Sequence, residues 1–383
     1  MPAYIIAARR TAIGRVGGLH KNRRLEELCT PVIDAALRDS ELEPAQVDEI
    51  IIGNASEGGN PARLIALAAG LPEKASASTI DRQCGSGLDA ILAAIRLVAA
   101  GEVDVVATGG AEAISMAPWR IAKPRSLYQT PHFTRPQAEL SEQGDAVTQI
   151  EAAEELWSHL GINREQQDAY ALRSHLKAEA ARSAKRFINE IVPMRANPEE
   201  ARDQSAIEPD LEDLAHLAPY LAPDGTLTSG NTSSLHDGAA IAIVVSQRVW
   251  ESLAKPHALR LVAGAAQGVR PDDEASAPIE AMKKLKERLN GHELADIGVI
   301  EMSESSAAQA IAFAQSLNVD ENLVNPDGGA IARGHPFGAA SAVLVTRLFT
   351  RMARSKDTNG PKLGVATLGV VGGMGLAALF ESV

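Results

Sequence analysis

The chain has 383 residues, 45% apolar and 22% charged, with 37 basic side chains against 49 acidic ones for a net charge of −12. At ~150 residues per domain, this length suggests two or three domains with sizeable cores, and the composition is that of a globular chain rather than a disordered one. The acidic balance and an aromatic content of 3% argue against a nucleic-acid platform, and two cysteines, Cys29 and Cys84, are too few for a disulfide framework and suit a reducing compartment.

In chain order, the apolar start is short and is followed by Arg9-Arg10, the wrong length and order for a signal peptide. A strand is expected over 4–7. A helix is expected over 25–38, with Leu25, Leu28, Val32, Ala35 and Ala36 on one face. A strand over 49–53, an apolar helix over 88–100 and a strand over 103–108 follow. This βαβαβ order predicts an α/β fold with a mainly parallel sheet covered on both faces. Residues 117–232 differ: they hold many prolines, polar runs such as 197–213, and helices expected over 145–160 and 164–186. They read as an insertion, after which a strand over 239–246 returns the chain to the first half. The expected division is therefore 1–116 with 233–255, an inserted loop domain at 117–232, and a second half at 256–383.

The last third repeats the first. Asp48-Glu49-Ile50-Ile51-Ile52-Gly53 resembles Asp296-Ile297-Gly298-Val299-Ile300-Glu301, and Val105-Val106-Ala107-Thr108-Gly109 resembles Gly364-Val365-Ala366-Thr367-Leu368. Cys84-Gly85-Ser86-Gly87 resembles His335-Pro336-Phe337-Gly338, each opening an alanine-rich helix. Residues 363–380 carry no charge and reach the threshold length of a membrane span, but Gly372-Gly373-Met374-Gly375 reads as a turn between two buried strands. The chain is therefore expected to be soluble, with no membrane or nucleic-acid partner.

Cys84 precedes an apolar helix, where the dipole and free N–H groups favour a thiolate; the bland reading is a buried cysteine at a tight turn. His335 follows Gly329-Ala330-Ile331-Ala332-Arg333-Gly334, which lacks the lysine of a phosphate loop. What singles it out is the repeat: it stands where Cys84 stands in the other half. Pseudo-two-fold packing would bring both helix starts together as an activated Cys–His pair. Glu112 ends a strand, where it is either structural or orients the site. Glu304 follows another strand and could orient His335 or cap the helix opening at Ala307. No histidine or cysteine spacing suits a metal. Lys283-Lys284-Leu285-Lys286-Glu287-Arg288 reads as the solvated face of a helix.

Together with Arg10-Thr11-Ala12-Ile13-Gly14, Gly109-Gly110-Ala111-Glu112, Arg164-Glu165-Gln166-Gln167-Asp168, Ser229-Gly230-Asn231 and Gly372-Gly373-Met374-Gly375, these motifs resemble the thiolase family over nearly the whole chain. The resemblance implies duplicated α/β/α/β/α halves with a loop domain that helps bind coenzyme A, a cytoplasmic homodimer or homotetramer, a coenzyme A thioester as substrate and no cofactor. It makes Cys84 the acylated nucleophile and His335 the group that takes its proton. The N–H groups of Cys84 and Val371 become an oxyanion hole, and Ser233 a pantetheine contact. This chain departs from the family in three places. Gly369 stands where the family carries its acid/base cysteine. Ser303-Glu304-Ser305-Ser306 replaces Asn-Glu-Ala-Phe, so Ser303 takes the place of a water-holding asparagine. The loop domain lacks a match to His-Met-Gly near 145–153. The expectation is an acyltransferase with an altered second half-reaction. The alternatives are a decarboxylative ketoacyl-synthase-like enzyme, which needs no carbon-acid base, and a catalytically weak acyl-CoA-binding subunit.

Overall fold

The computed structural model describes residues 1–124, 126–133, 149–194, 201–204, 209–221, 223–289, 291–355 and 360–383. Its strands are β1 (Ala3–Thr11), β2 (Gly14–Arg15), β3 (Glu49–Gly53), β4 (Ser76–Ile80), β5 (Val105–Glu112), β6 (Ile191–Val192), β7 (His236–Ser246), β8 (Leu259–Gly268), β9 (Val299–Met302), β10 (Leu363–Val370) and β11 (Met374–Ser382). Its helices are α1 (Leu25–Asp39), α2 (Pro61–Ala68), α3 (Ser86–Ala100), α4 (Gln149–His159), α5 (Arg164–Ser183), α6 (Leu211–Ala215), α7 (Gln247–Ser252), α8 (Ala277–Lys286), α9 (Ala307–Leu317), α10 (Ala330–Arg333) and α11 (Phe337–Met352).

The strands run β4-β3-β5-β7-β1-β8-β11-β10-β9. From the β1–β8 junction outward, one arm reads β1, β7, β5, β3 and the other β8, β11, β10, β9, so the sequence repeat is a repeat of topology. The junction is narrow: Tyr4 pairs with Arg260 and Ile5 with Leu259. Alternation along the strands sets the layers. On one face of the first arm, Ile5, Val106, Ala242 and Val244 join Ala366, Leu368, Val370 and Ala378 of the second around α3 and α11. The other face of the first arm, with Ile50, Ile52, Ile241 and Ile243, packs on α1 and α2. Val365, Ala377 and Leu379 of the second arm pack on α8 and α9. The result is five layers, helix–sheet–helix–sheet–helix, with α3 and α11 in the middle.

The expectation of a mainly parallel sheet needs correcting. β3 lies parallel to β4 and β5, and β9 to β10, but β7 runs antiparallel to β1 and β5, as β11 does to β8 and β10. The β10–β11 connection is a tight turn, and a turn that short joins only antiparallel neighbours. That hairpin is residues 363–380, buried as expected. Among the described residues one other stretch, Gln83–Ala100, is apolar and long enough to cross a bilayer, and it forms the middle-layer helix α3. Of the helix expected over 145–160, residues 145–148 lie outside the described residues and the rest is α4. The inserted segment is not wholly separate from the sheet, because β6 adds to β1 through Arg10–Ile191 and Thr11–Val192.

Candidate active site

Cys84 sits in a single helical turn, Gln83–Gly85, just before α3. The turn is sharp: Gln83 is held at φ +50°, a region costly for a residue with a side chain. The Ser86 hydroxyl secures it, accepting from Arg82 N–H at 2.8 Å and donating to Gln83 C=O at 2.6 Å. Gly85 lets the turn lie against the second arm, since a Cβ there would come within 2.7 Å of Leu376 Cδ1 and 2.9 Å of Val370 Cγ2. That closeness brings the N–H of Val371 to the Cys84 sulfur, beside the N–H of Cys84 itself. Both favour a thiolate, but burial dominates. With the Glu274 carboxylate adding to it, burial pushes the thiol up to about 12.

The two helix starts meet, as the repeat implied. Leu88 N–H donates to Ser341 Oγ at 2.9 Å, and a Cβ on Gly87 would lie 2.9 Å from that of Ala342. His335 lies two residues before α11. Its own N–H donates to Ser234 C=O at 3.1 Å, and its C=O accepts from His236 N–H at 3.0 Å. His335 Nδ1 lies 3.3 Å from Ser303 Oγ. Burial, with His236 adding to it, lowers His335 to about 4. Among the described residues no hydrogen bond links His335 to Cys84. The resting site is therefore a neutral thiol and a neutral imidazole, not the preformed ion pair an activated Cys–His pair suggests.

Glu304 fulfils neither expected role. Its carboxylate accepts from Tyr170 Oη at 3.1 Å, Ser174 Oγ at 2.8 Å, Asn325 Nδ2 at 2.8 Å and Ile331 N–H at 3.3 Å. It thus ties α5 to the start of α10, while Ser306 caps α9 by accepting from Gln309 N–H. The residue touching His335 is Ser303. Glu112 is structural in the same way: it accepts from Gly338 N–H at 2.9 Å at the start of α11, from Asn54 Nδ2 at 3.0 Å, and from Ser56 Oγ. Burial pushes its carboxyl up to about 7. Ser233, half-buried, donates its N–H to Ser305 C=O at 3.0 Å, on the strip between the Ser303 loop and His335.

Gly369 is half-buried and pairs with Gly375. A Cβ there would face Gln309 Nε2 at 3.1 Å, Pro278 Cδ at 3.4 Å and the Glu274 carbonyl at 3.8 Å. Sequence reasoning passed over Glu274 and His236. Glu274 lies in a polar turn without a motif. His236 becomes visible only when Gly334, at φ +100°, is seen to leave no room over its ring. Among the described residues no group of histidine, cysteine and carboxylate side chains could hold a metal.

The thiolase N-terminal domain matches residues 3–248 and the thiolase C-terminal domain residues 255–382. The chain is 38% identical over 384 residues to a putative acetyl-CoA C-acetyltransferase VraB of Staphylococcus epidermidis, covering 98% of this chain and 97% of that one. It is 37% identical over 393 residues to an acetyl-CoA acetyltransferase of Allochromatium vinosum, covering 98% of each. The crystal structure of the Bacillus anthracis acetyl-CoA acetyltransferase superposes with a TM-score of 0.92 at 32% identity, over 100% of this chain and 99% of that one. With both domain matches spanning nearly its whole length and a sheet built twice on one topology, the chain belongs to the thiolase family and is an acyltransferase.

Proposed function

We propose that the chain takes an acyl group from an acyl-CoA thioester onto Cys84 and passes it to a second acyl-CoA. Support comes from one observation above all: the N–H groups of Val371 and Cys84 converge on the Cys84 sulfur where the two helix starts meet. In the first half-reaction Cys84 Sγ bonds to the thioester carbonyl carbon as its proton passes to His335. The charge growing on the carbonyl oxygen is held by those N–H groups. The bond to coenzyme A breaks, and the leaving sulfur takes the proton back from His335. Ser303 positions the imidazole through Nδ1, and Ser233 lines the approach of the pantetheine. No step calls for a cofactor. The family resemblance supports a cytoplasmic homodimer or homotetramer.

The second half-reaction is where this chain is unusual, because Gly369 offers no side chain. The test is intact-protein mass spectrometry after incubation with several acyl-CoAs. The wild type gains one acyl mass, Cys84→Ser gains no stable thioester, and His335→Ala acylates on the order of 10²-fold more slowly. Absence of an acyl adduct on the wild type would sink the reading. A product formed from malonyl but not acetyl donors would replace it with decarboxylative condensation.

A further inference from the structure

We propose that the Glu274 carboxylate is the base that removes the α-proton of the second acyl-CoA, taking over the role left without a side chain at Gly369. This rests on the acyl-Cys84 reading above and adds the residue that completes the cycle.

Glu274 Oε2 accepts from Gly372 N–H at 2.8 Å. Gly372 directly follows Val371, whose N–H faces the Cys84 sulfur. One carboxylate oxygen is thus fixed beside the same turn that carries the oxyanion donor. The turn that carries Glu274 also borders position 369, whose Cβ would lie 3.8 Å from the Glu274 main-chain carbonyl oxygen. Glu274 is half-buried, so it borders the site rather than sitting sealed beneath it.

A carboxylate here opposes the first half-reaction. It raises the Cys84 thiol further, so it makes the nucleophile harder to ionise. That opposition ends once Cys84 is acylated, because a thioester carries no charge. From then on the carboxylate is an anion close enough to be felt at position 84, beside an uncharged electrophile. The proton balance closes without any other reactant. Glu274 takes a proton from the α-carbon, and the C–H pair becomes an enolate whose charge rests on the thioester oxygen. The enolate carbon bonds to the acyl carbon on Cys84 and the C–Sγ bond breaks. The departing sulfur then takes the proton from Glu274. In the cleavage direction the same proton runs backwards.

Glu274→Gln tests this, because an amide oxygen keeps the bond from Gly372 N–H while losing the base. Three readouts on the full chain separate the roles: acyl-Cys84 formation, deuterium uptake from D2O into the methyl group of acetyl-CoA, and coenzyme A-dependent cleavage of acetoacetyl-CoA. In Glu274→Gln, deuterium uptake and cleavage are expected to fall about 10²–10⁴-fold. Acylation persists, since that step does not use Glu274, and alkylation of Cys84 at fixed pH speeds up. Glu274→Asp should recover part of the exchange. Wild-type rates of exchange and cleavage in Glu274→Gln would overturn the proposal, leaving Glu274 as a support for the turn. A wild type that acylates Cys84 but neither exchanges nor cleaves would overturn it too, while leaving the first half-reaction standing. A wild type that forms no acyl-Cys84 sinks the underlying reading and this one with it.

Discussion

Cys84 and His335 are matched in an unexpected sense: both are held uncharged. Burial outweighs the two N–H groups at Cys84, while at His335 burial and the neighbouring His236 act in the same direction. A thiol pushed up to about 12 has a thiolate fraction that rises tenfold per pH unit throughout the accessible range. Alkylation of Cys84 by iodoacetamide should therefore climb in that proportion from about pH 6 to about pH 10 without a plateau. A plateau near neutrality would reveal a thiolate–imidazolium pair instead. Cys29 has no exposed surface and is pushed higher still, so it should stay unlabelled until the protein unfolds. Peptide mapping distinguishes the two thiols. At this scale the sequence could name Cys84 and His335 as candidates but could not give their charge, because ionisation depends on burial, which only the packed layers set.

At the scale of elements, the site is a crossing of helix starts, and glycine makes the crossing possible. A Cβ on Gly87 would lie 2.9 Å from both Cβ and N of Ala342 and 3.0 Å from Gly338 C=O. Gly87→Ala forces α3 and α11 apart. Stability should fall by about 1–3 kcal/mol by denaturant titration, and acylation by up to ~10²-fold, because His335 moves with α11. Loss of stability with normal acylation would separate the crossing from catalysis. The elements legible beforehand were those with periodic apolar faces: α1 was expected over 25–38 and runs Leu25–Asp39, and the strand 49–53 matches β3. Among those not foreseen were α2, which is short, and β4, where Ser76-Ala77-Ser78-Thr79-Ile80 offers few apolar side chains to read. The turn carrying Glu274 was also hidden, since no local pattern announces it. The repeat made Cys84 and His335 visible because it is a pattern between distant segments, whereas the polar contacts of Glu304 and Ser303 depend on α5 and α11 arriving from elsewhere.

Across the whole molecule, a buried ionic cluster fastens the inserted segment to both halves. Arg10 on β1 bonds to Glu190 at 2.9 Å and to Asp203 at 2.6 Å. Arg347 on α11 pairs with Glu190 and Asp327, and Arg186 and Arg351 each reach Asp327 at 2.6 Å. Phe187 packs among the guanidinium groups of Arg10, Arg333 and Arg347. Removing one partner strands the others in a medium that does not solvate them. Arg347→Met should cost about 3–5 kcal/mol, read as a lowered denaturant midpoint. An unchanged midpoint would mean that the remaining arginines neutralise Glu190 and Asp327 unaided.

The strand order also has a kinetic consequence. In each arm the strand made last, β7 or β11, lies between two strands made earlier: β5 and β1 in one arm, β10 and β8 in the other. Neither arm is completed by adding a strand at its rim. β5 must wait unpaired along one side, and β1 along both, while the inserted segment is synthesised. Such gaps are filled by pairings distant in sequence, which are slow to find and leave sticky edges in the interim. Refolding from denaturant should therefore be slow and its yield should fall with protein concentration, with β7 entering its slot as the step that commits the first arm to its native form.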